Sequence, residues 1–346
     1  MLSVEIFKFV LTATTPDLLN FVLPRITVSQ KEVSMSLKRH LNDKQSPFRS
    51  LLENCAPSLA ASAGHSSASR KFAKQLGFYD LVNAPLVVPL PEEVRDKRRH
   101  SPTVGTAFDI RTRMQLGEFE PRRTASALGV KAADLMYPRL VADGERIAKV
   151  LTLSFFEAER LTSEGTDEDK DLASIIFSWC EAFHRAGAQV LHSSLWKLLQ
   201  TSKTVESLFD SIPSGLLTDV SNLRVANQSQ IEQWRKVIRS GAVYIGNPHF
   251  AGAYLVNGAD GDWFIEDTLF DCKVVDMISA PWVRKSIMQL LGYLILDLDD
   301  EYKTARIGIW LPRQAMMKTW KLEEIIGNDA ADVLLEARVA VPGLLE

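Results

Sequence analysis

Cysteine is scarce: Cys55, Cys180 and Cys272 are spread over 346 residues, and no two are spaced as CxxC. An odd count without close pairs speaks against a disulfide framework and a cysteine zinc site, and makes a reduced, cytoplasmic protein the expectation. No apolar run approaches the ~18 residues that a membrane span needs, so no membrane partner is expected. The opening residues, MLSVEIFKFVLTATTPDLL, carry neither a basic leader nor a long apolar stretch, and no signal peptide is expected there. Charge of one sign is not in excess either. With a net charge of −3, no whole-chain basic field advertises a polyanion. Walker, GxSxG and HExxH motifs are missing, which leaves ATPase, α/β-hydrolase and zinc-protease chemistry without support.

What is present is ordinary in bulk. Hydrophobic residues make up 46% and charged residues 24% of the chain, enough to bury a large core in one large domain or two smaller ones. Residues 1–100 read as mainly helical, with a polar loop at SLAASAGHSSASRK (58–71), a proline-punctuated extended stretch at PLVVPLPEEV (85–94) and a basic turn at DKRRHSP (96–102). Residues 131–239 repeat apolar positions at three- and four-residue spacing and predict a helical insertion, with TSEGTDEDKD (162–171) as an exposed acidic connection. Short β-rich runs follow at AVYIG (242–246), AYLVNG (253–258), DWFI (262–265), TLFDCKVV (268–275) and ARIGIWL (305–311), interrupted by one long helix near 281–297. A core formed by 101–130 and 240–330, with 331–346 as a C-terminal tail, completes the expected organisation. Strands mixed with helices in this way predict an α/β fold with a mixed sheet and helices packed on it.

The stretch GADGDWFIEDTLFDCKVV (258–275) is the most informative. It has the apolar runs of a buried hairpin and more charge than a buried hairpin should carry. Glu266-Asp267 is the natural two-residue turn. Ile265 then faces Thr268, Phe264 faces Leu269, Trp263 faces Phe270 and Asp262 faces Asp271, with facing Cβ atoms about 5 Å apart. The same register places Asp260 opposite Lys273. Because strand side chains alternate, Asp260, Asp262, Asp271 and Lys273 converge on one face, while Trp263, Ile265, Phe270 and Cys272 point to the other. Two adjacent carboxylates repel and invite a divalent cation, and Mg²⁺ prefers one or two carboxylates completed by water and phosphate oxygens. A lysine two residues on can orient or deprotonate a water, or stabilise charge developing on a phosphate. That set suits metal-assisted phosphodiester hydrolysis. A solvated edge hairpin is the bland alternative, and the flanking runs are too apolar for it. The 257–262 stretch lacks the spacing and the distal glutamate of a calcium loop.

Asp262 followed by Asp271-Cys272-Lys273 on the next strand resembles the PD-(D/E)xK nuclease superfamily. Gln289-Leu290-Leu291-Gly292-Tyr293 on the following helix is similar to the QxxxY motif of its RecB-like branch. VGTAFDIRTR (104–113) is similar to the GxxxH helix of that branch, with Asp109 at the histidine position and Arg113 where a glutamate is usual. The resemblance covers 102–116 and 242–315. It implies a restriction-endonuclease-like mixed central sheet flanked by helices, with a large helical insertion, and a Mg²⁺-dependent deoxyribonuclease in which Mn²⁺ substitutes. Asp262 and Asp271 would hold the metal with the Cys272 carbonyl, and Asp109 would add a ligand. Lys273 would position the water, while Gln289 and Tyr293 would organise the site. DNA is the implied partner, with RNA left open; the settings that use this chemistry are repair, recombination and phage defence.

Other candidates come from the residues themselves. Lys285 shares a helix face with Gln289 and Tyr293 and could meet a DNA backbone. Arg95, Lys97, Arg98, Arg99 and His100, together with Arg122 and Arg123, are candidate phosphate contacts or simply solvated turns. Arg306 and Arg313 flank the last strand and are candidates to hold the cleaved strand. His249 reads as structural, and Trp196, Trp234, Trp310 and Trp320 as core. The alternative function is an inactive nuclease-fold subunit of a larger complex. Protein partners would then dock on the helical insertion, and a homo-oligomer fits either reading.

Overall fold

Short period-two runs between residues 244 and 321 form one five-stranded sheet in the order β1 (Tyr244–Gly246), β2 (Trp263–Ile265), β3 (Thr268–Cys272), β4 (Arg306–Leu311), β5 (Met316–Lys321). β1–β2, β2–β3 and β4–β5 are antiparallel, and β3–β4 is parallel. The parallel pair needs a crossover, which the Ala280–Leu296 helix supplies. Ser279 caps that helix by accepting from Trp282 N, and a proline sits in its first turn, where no backbone donor is lost. The computed structural model describes residues 36–62, 66–94, 96–117 and 119–345. Residues 1–35, expected to be mostly helical, and Arg95 lie outside the described residues.

Helices cover both faces of the sheet, so the architecture is α/β with a buried mixed sheet. On one face Phe264, Leu269, Ile307, Ile309 and Leu311 join a core with the Ala280–Leu296 helix, the short helices between Leu37 and Val82, and the Ala330–Leu345 helix. On the other face Trp263, Ile265, Phe270 and Trp310 join a core with the Lys97–Leu116 helix and the helices between Ala125 and Arg239. Trp234 sits at the middle of that second core, with ring contacts to Trp263, Phe270 and Trp310. Gly308 is required here: a Cβ would come within 2.5 Å of the Phe270 ring that lies across it. The 131–239 segment is therefore a layer laid on the sheet, its helices sharing a core with β2, β3 and β4.

Several local expectations are corrected. DKRRHSP is the first part of the Lys97–Leu116 helix, because the Asp96 side chain accepts from Arg98 N and caps it. Within 58–71, expected as a loop, Ser66 caps the Ser67–Gln75 helix by accepting from Ser69 N. AYLVNG belongs to a 3₁₀ helix, Ala251–Val256, which buries both Leu255 and Val256, as an alternating strand cannot. The acidic connection shrinks to a two-residue link, since Thr166 and Asp169 form a capping box that starts the Asp167–Ala186 helix. The expected tail is the Ala330–Leu345 helix, with Leu334, Ala337 and Val341 in the core. β5 has no counterpart among the expected strands: its lysines and threonine hide the alternation, and it is an edge strand, where such residues belong.

Candidate active site

The hairpin has the predicted register, with Ile265 opposite Thr268, Phe264 opposite Leu269 and Trp263 opposite Phe270. Glu266 turns it with a φ of +58°, a positive angle of the kind that tight hairpin loops demand. At the open end the ladder gives way to a side-chain contact: Asp262 Oδ2 accepts from Cys272 N at 2.5 Å. The Asp262 main chain is anchored separately, its carbonyl accepting from Asn247 N at 2.9 Å. Asp262 is thereby fixed against the end of β3, beside Asp271. Asp260 does not reach Lys273. It bridges to His249 instead, its Oδ1 lying 2.9 Å from His249 Nδ1, because the chain leaves the hairpin at Gly261 and pairs with the 247–249 segment.

Asp271 is 2% exposed and carries the centre of the site. Lys273 Nζ lies 2.9 Å from its Oδ2, and Gln289 Oε1 accepts from the same ammonium at 3.4 Å. Gln289 Nε2 donates to Tyr293 Oη at 2.5 Å, and the Tyr293 ring stacks on Phe250 with centroids 5.3 Å apart. The structure thus brings Asp262, Asp271, Lys273, Gln289 and Tyr293 into one chain of contacts from the hairpin to the crossover helix. Four-residue spacing on a helix is what puts Gln289 and Tyr293 side by side.

Electrostatics follow from burial. Burial pushes the Asp271 carboxyl up to about 7, with the Asp262 charge adding to the rise and the Lys273 ammonium opposing it. Burial works against the Lys273 ammonium, but Asp271 and Asp262 outweigh it and raise its pKa. Lys273 is therefore a fixed positive charge at neutral pH. Burial also raises the Tyr293 phenol, which stays neutral and acts through its hydrogen bond.

Asp109 approaches from the Lys97–Leu116 helix. Its Oδ2 accepts from an Arg113 terminal nitrogen at 2.5 Å, and its Oδ1 is buried without a hydrogen-bond partner. Burial pushes Asp109 up to about 7, opposed by Arg113 and reinforced by Asp262 and Glu181. Arg113 lines a cavity of about 700 Å³ whose wall includes the β1 edge, and which ends at His249 and Tyr302. Glu181 and Tyr244 were not anticipated. They come from a distant helix and an edge strand, and no local spacing marks them.

Asp109 Oδ1 has no partner, and Asp271 Oδ2 has the Lys273 ammonium at ion-pair distance but no well-aligned hydrogen bond. Each carboxylate is paired with one cation, Asp109 with Arg113 and Asp271 with Lys273, and the Asp262–Asp271 pair is a hard-oxygen donor set. The residues fit a divalent cation on two carboxylates. Among the described residues no group of three His, Cys, Asp or Glu side chains is close enough to hold a metal by itself.

The remaining candidates fall elsewhere. Arg313 is buried at 1% exposure and grips Asp219 with two hydrogen bonds, Nη1 to Oδ1 at 2.9 Å and Nη2 to Oδ2 at 2.6 Å. His100 lies 2.7 Å from the same carboxylate, so both are structural and neither is free to meet a strand. Arg306 begins β4 opposite Lys321 and pairs with Asp267 at the turn, three residues down the sheet from the level of Asp271. That end is the wrong one. Arg98 and Arg99 are exposed on the first turn of their helix, with Arg99 paired to Asp96. Lys285 lies one turn before Gln289 and donates to Asn42 Oδ1 at 2.7 Å, beside a small cavity it shares with Arg49 and Arg284. Among the described residues no helix is long and apolar enough to cross a membrane. Compared with protein-family models, with curated proteins and with solved structures, the chain matches none.

Proposed function

We propose that the chain is a divalent-cation-dependent nuclease of the PD-(D/E)xK type, with a restriction-endonuclease-like core, that hydrolyses phosphodiester bonds of DNA. The observation that carries this reading is the part-buried line Asp262–Asp271–Lys273–Gln289–Tyr293, assembled from the hairpin and the crossover helix. Asp262, Asp271 and the Cys272 carbonyl would hold Mg²⁺ or Mn²⁺, which when bound supplies Lewis-acid charge stabilisation and lowers the pKa of water. Lys273, held as an ammonium, orients the water or a phosphate oxygen by donating to it, and is a poor proton acceptor in this setting. Gln289 fixes the ammonium and is itself fixed by Tyr293. Lys285 extends the same helix face and is suited to the strand leaving the site.

Purified protein with DNA and Mn²⁺ should cleave, and Lys273→Ala should lose about 10²-fold or more of the rate. Equal rates for the two would refute the assignment. A second reading, a nuclease fold that binds without cleaving, is motivated by the large helical portion of the chain and its modest net charge of −3. Calorimetry separates the two, since Mn²⁺ binding that does not depend on Asp262 and Asp271 would support the second.

A further inference from the structure

We propose that Arg113 stands in for a second cation, so that the site takes a single divalent ion, on Asp262 and Asp271, and Asp109 is not one of its ligands. This rests on the cation-dependent reading of the site above. Arg113 and Asp109 are a part-buried pair four residues apart on one helix, in contact at 2.5 Å, with the Arg113 side chain 8% and the Asp109 side chain 16% exposed. An arginine cannot shed its charge in a protein, and a buried guanidinium that loses its carboxylate is left uncompensated. An ion drawn to Asp109 would have to displace Arg113 or sit in contact with it, positive charge against positive charge. On the hairpin side Lys273 engages Asp271 through Oδ2 and shares its ammonium with Gln289, while Asp262 has no ion-pair partner among the described residues.

The surroundings of Arg113 agree. Asp109, Glu181 and Asp262 all act on it, and Glu181 is itself held by Arg185 at 2.5 Å, which leaves Arg113 as the direct partner of Asp109. The guanidinium also lies over the Phe119 ring at 5.8 Å, which fixes its plane. Its Nε is buried without a partner in the protein, and the residue lines the 700 Å³ cavity bordered by β1. A phosphate oxygen presented from that cavity would meet a donor already charged and already positioned, the service a second metal ion performs elsewhere.

The test is calorimetric titration with Mn²⁺ alone, without nucleic acid. Wild type should bind one Mn²⁺ per chain. Asp109→Asn should keep that affinity within about threefold, whereas Asp262→Asn and Asp271→Asn should each weaken it roughly tenfold or more. Arg113→Gln releases Asp109 and should add a second, weaker binding event, which Arg113→Lys should not show. Two ions in wild type, or a loss in Asp109→Asn as large as that in Asp271→Asn, would overturn the proposal while leaving the nuclease reading standing. Mn²⁺ binding indifferent to Asp262 and Asp271 would overturn both. If Arg113→Gln does not fold, the Asp109→Asn comparison decides alone.

Discussion

Replacing Asp271 by asparagine should flatten the pH dependence of folding stability. In the folded chain the Asp271 carboxyl is pushed from 3.8 up to about 7, chiefly by burial. Between those two values the folded state holds a proton that the unfolded chain has released, so stability falls as pH rises through this window. From pH 5 to pH 8 about two units of the shift are traversed, and at roughly 1.4 kcal/mol per unit the loss is about 3 kcal/mol. A carboxamide cannot ionise, so Asp271→Asn should lack that part of the slope whatever its own cost at a single pH. The assay is urea unfolding of both proteins in chelator at pH 5, 6, 7 and 8, read as the difference between their stabilities at each pH. Asp109, also raised to about 7, contributes equally to both curves and cancels. A difference that stays constant across this range would refute the account of Asp271 as a carboxyl whose burial outweighs the Lys273 charge.

Two further outcomes follow from the same structure. Arg313→Ala strands the buried Asp219 carboxylate beside His100, and should cost about 3–5 kcal/mol in chemical denaturation while leaving Mn²⁺ binding unchanged. The hydrogen bond that His249 donates to Asp260 raises the His249 pKa above its ordinary 6.5, so Asp260→Asn should bring its NMR titration midpoint down towards that value; an unchanged midpoint would remove Asp260 as the cause.

Much of the site was legible because its information is local. The register of a two-residue hairpin is set by its turn, and period two then assigns Asp262, Asp271 and Lys273 to one face without knowledge of the rest of the fold. The i, i+4 spacing does the same for Gln289 and Tyr293. Where the local rule stops, so does the foresight. Asp260 follows the hairpin arithmetic on paper but is drawn to His249 once Gly261 bends the chain. Arg313 and Arg306 flank β4 in sequence; in space one is spent on Asp219 and the other is at the far end of the strand.

Alternation and spacing along the chain were enough to mark a charged hairpin, a helix with a polar stripe and the mixed helix–strand character of the fold. Those are short-range properties of backbone geometry. Only the packed fold put the 131–239 helices into a shared core with the sheet, carried Asp109 to the hairpin and brought Arg113 with it. Each depends on packing between elements far apart in the chain, where burial brings charges together and changes what they can do.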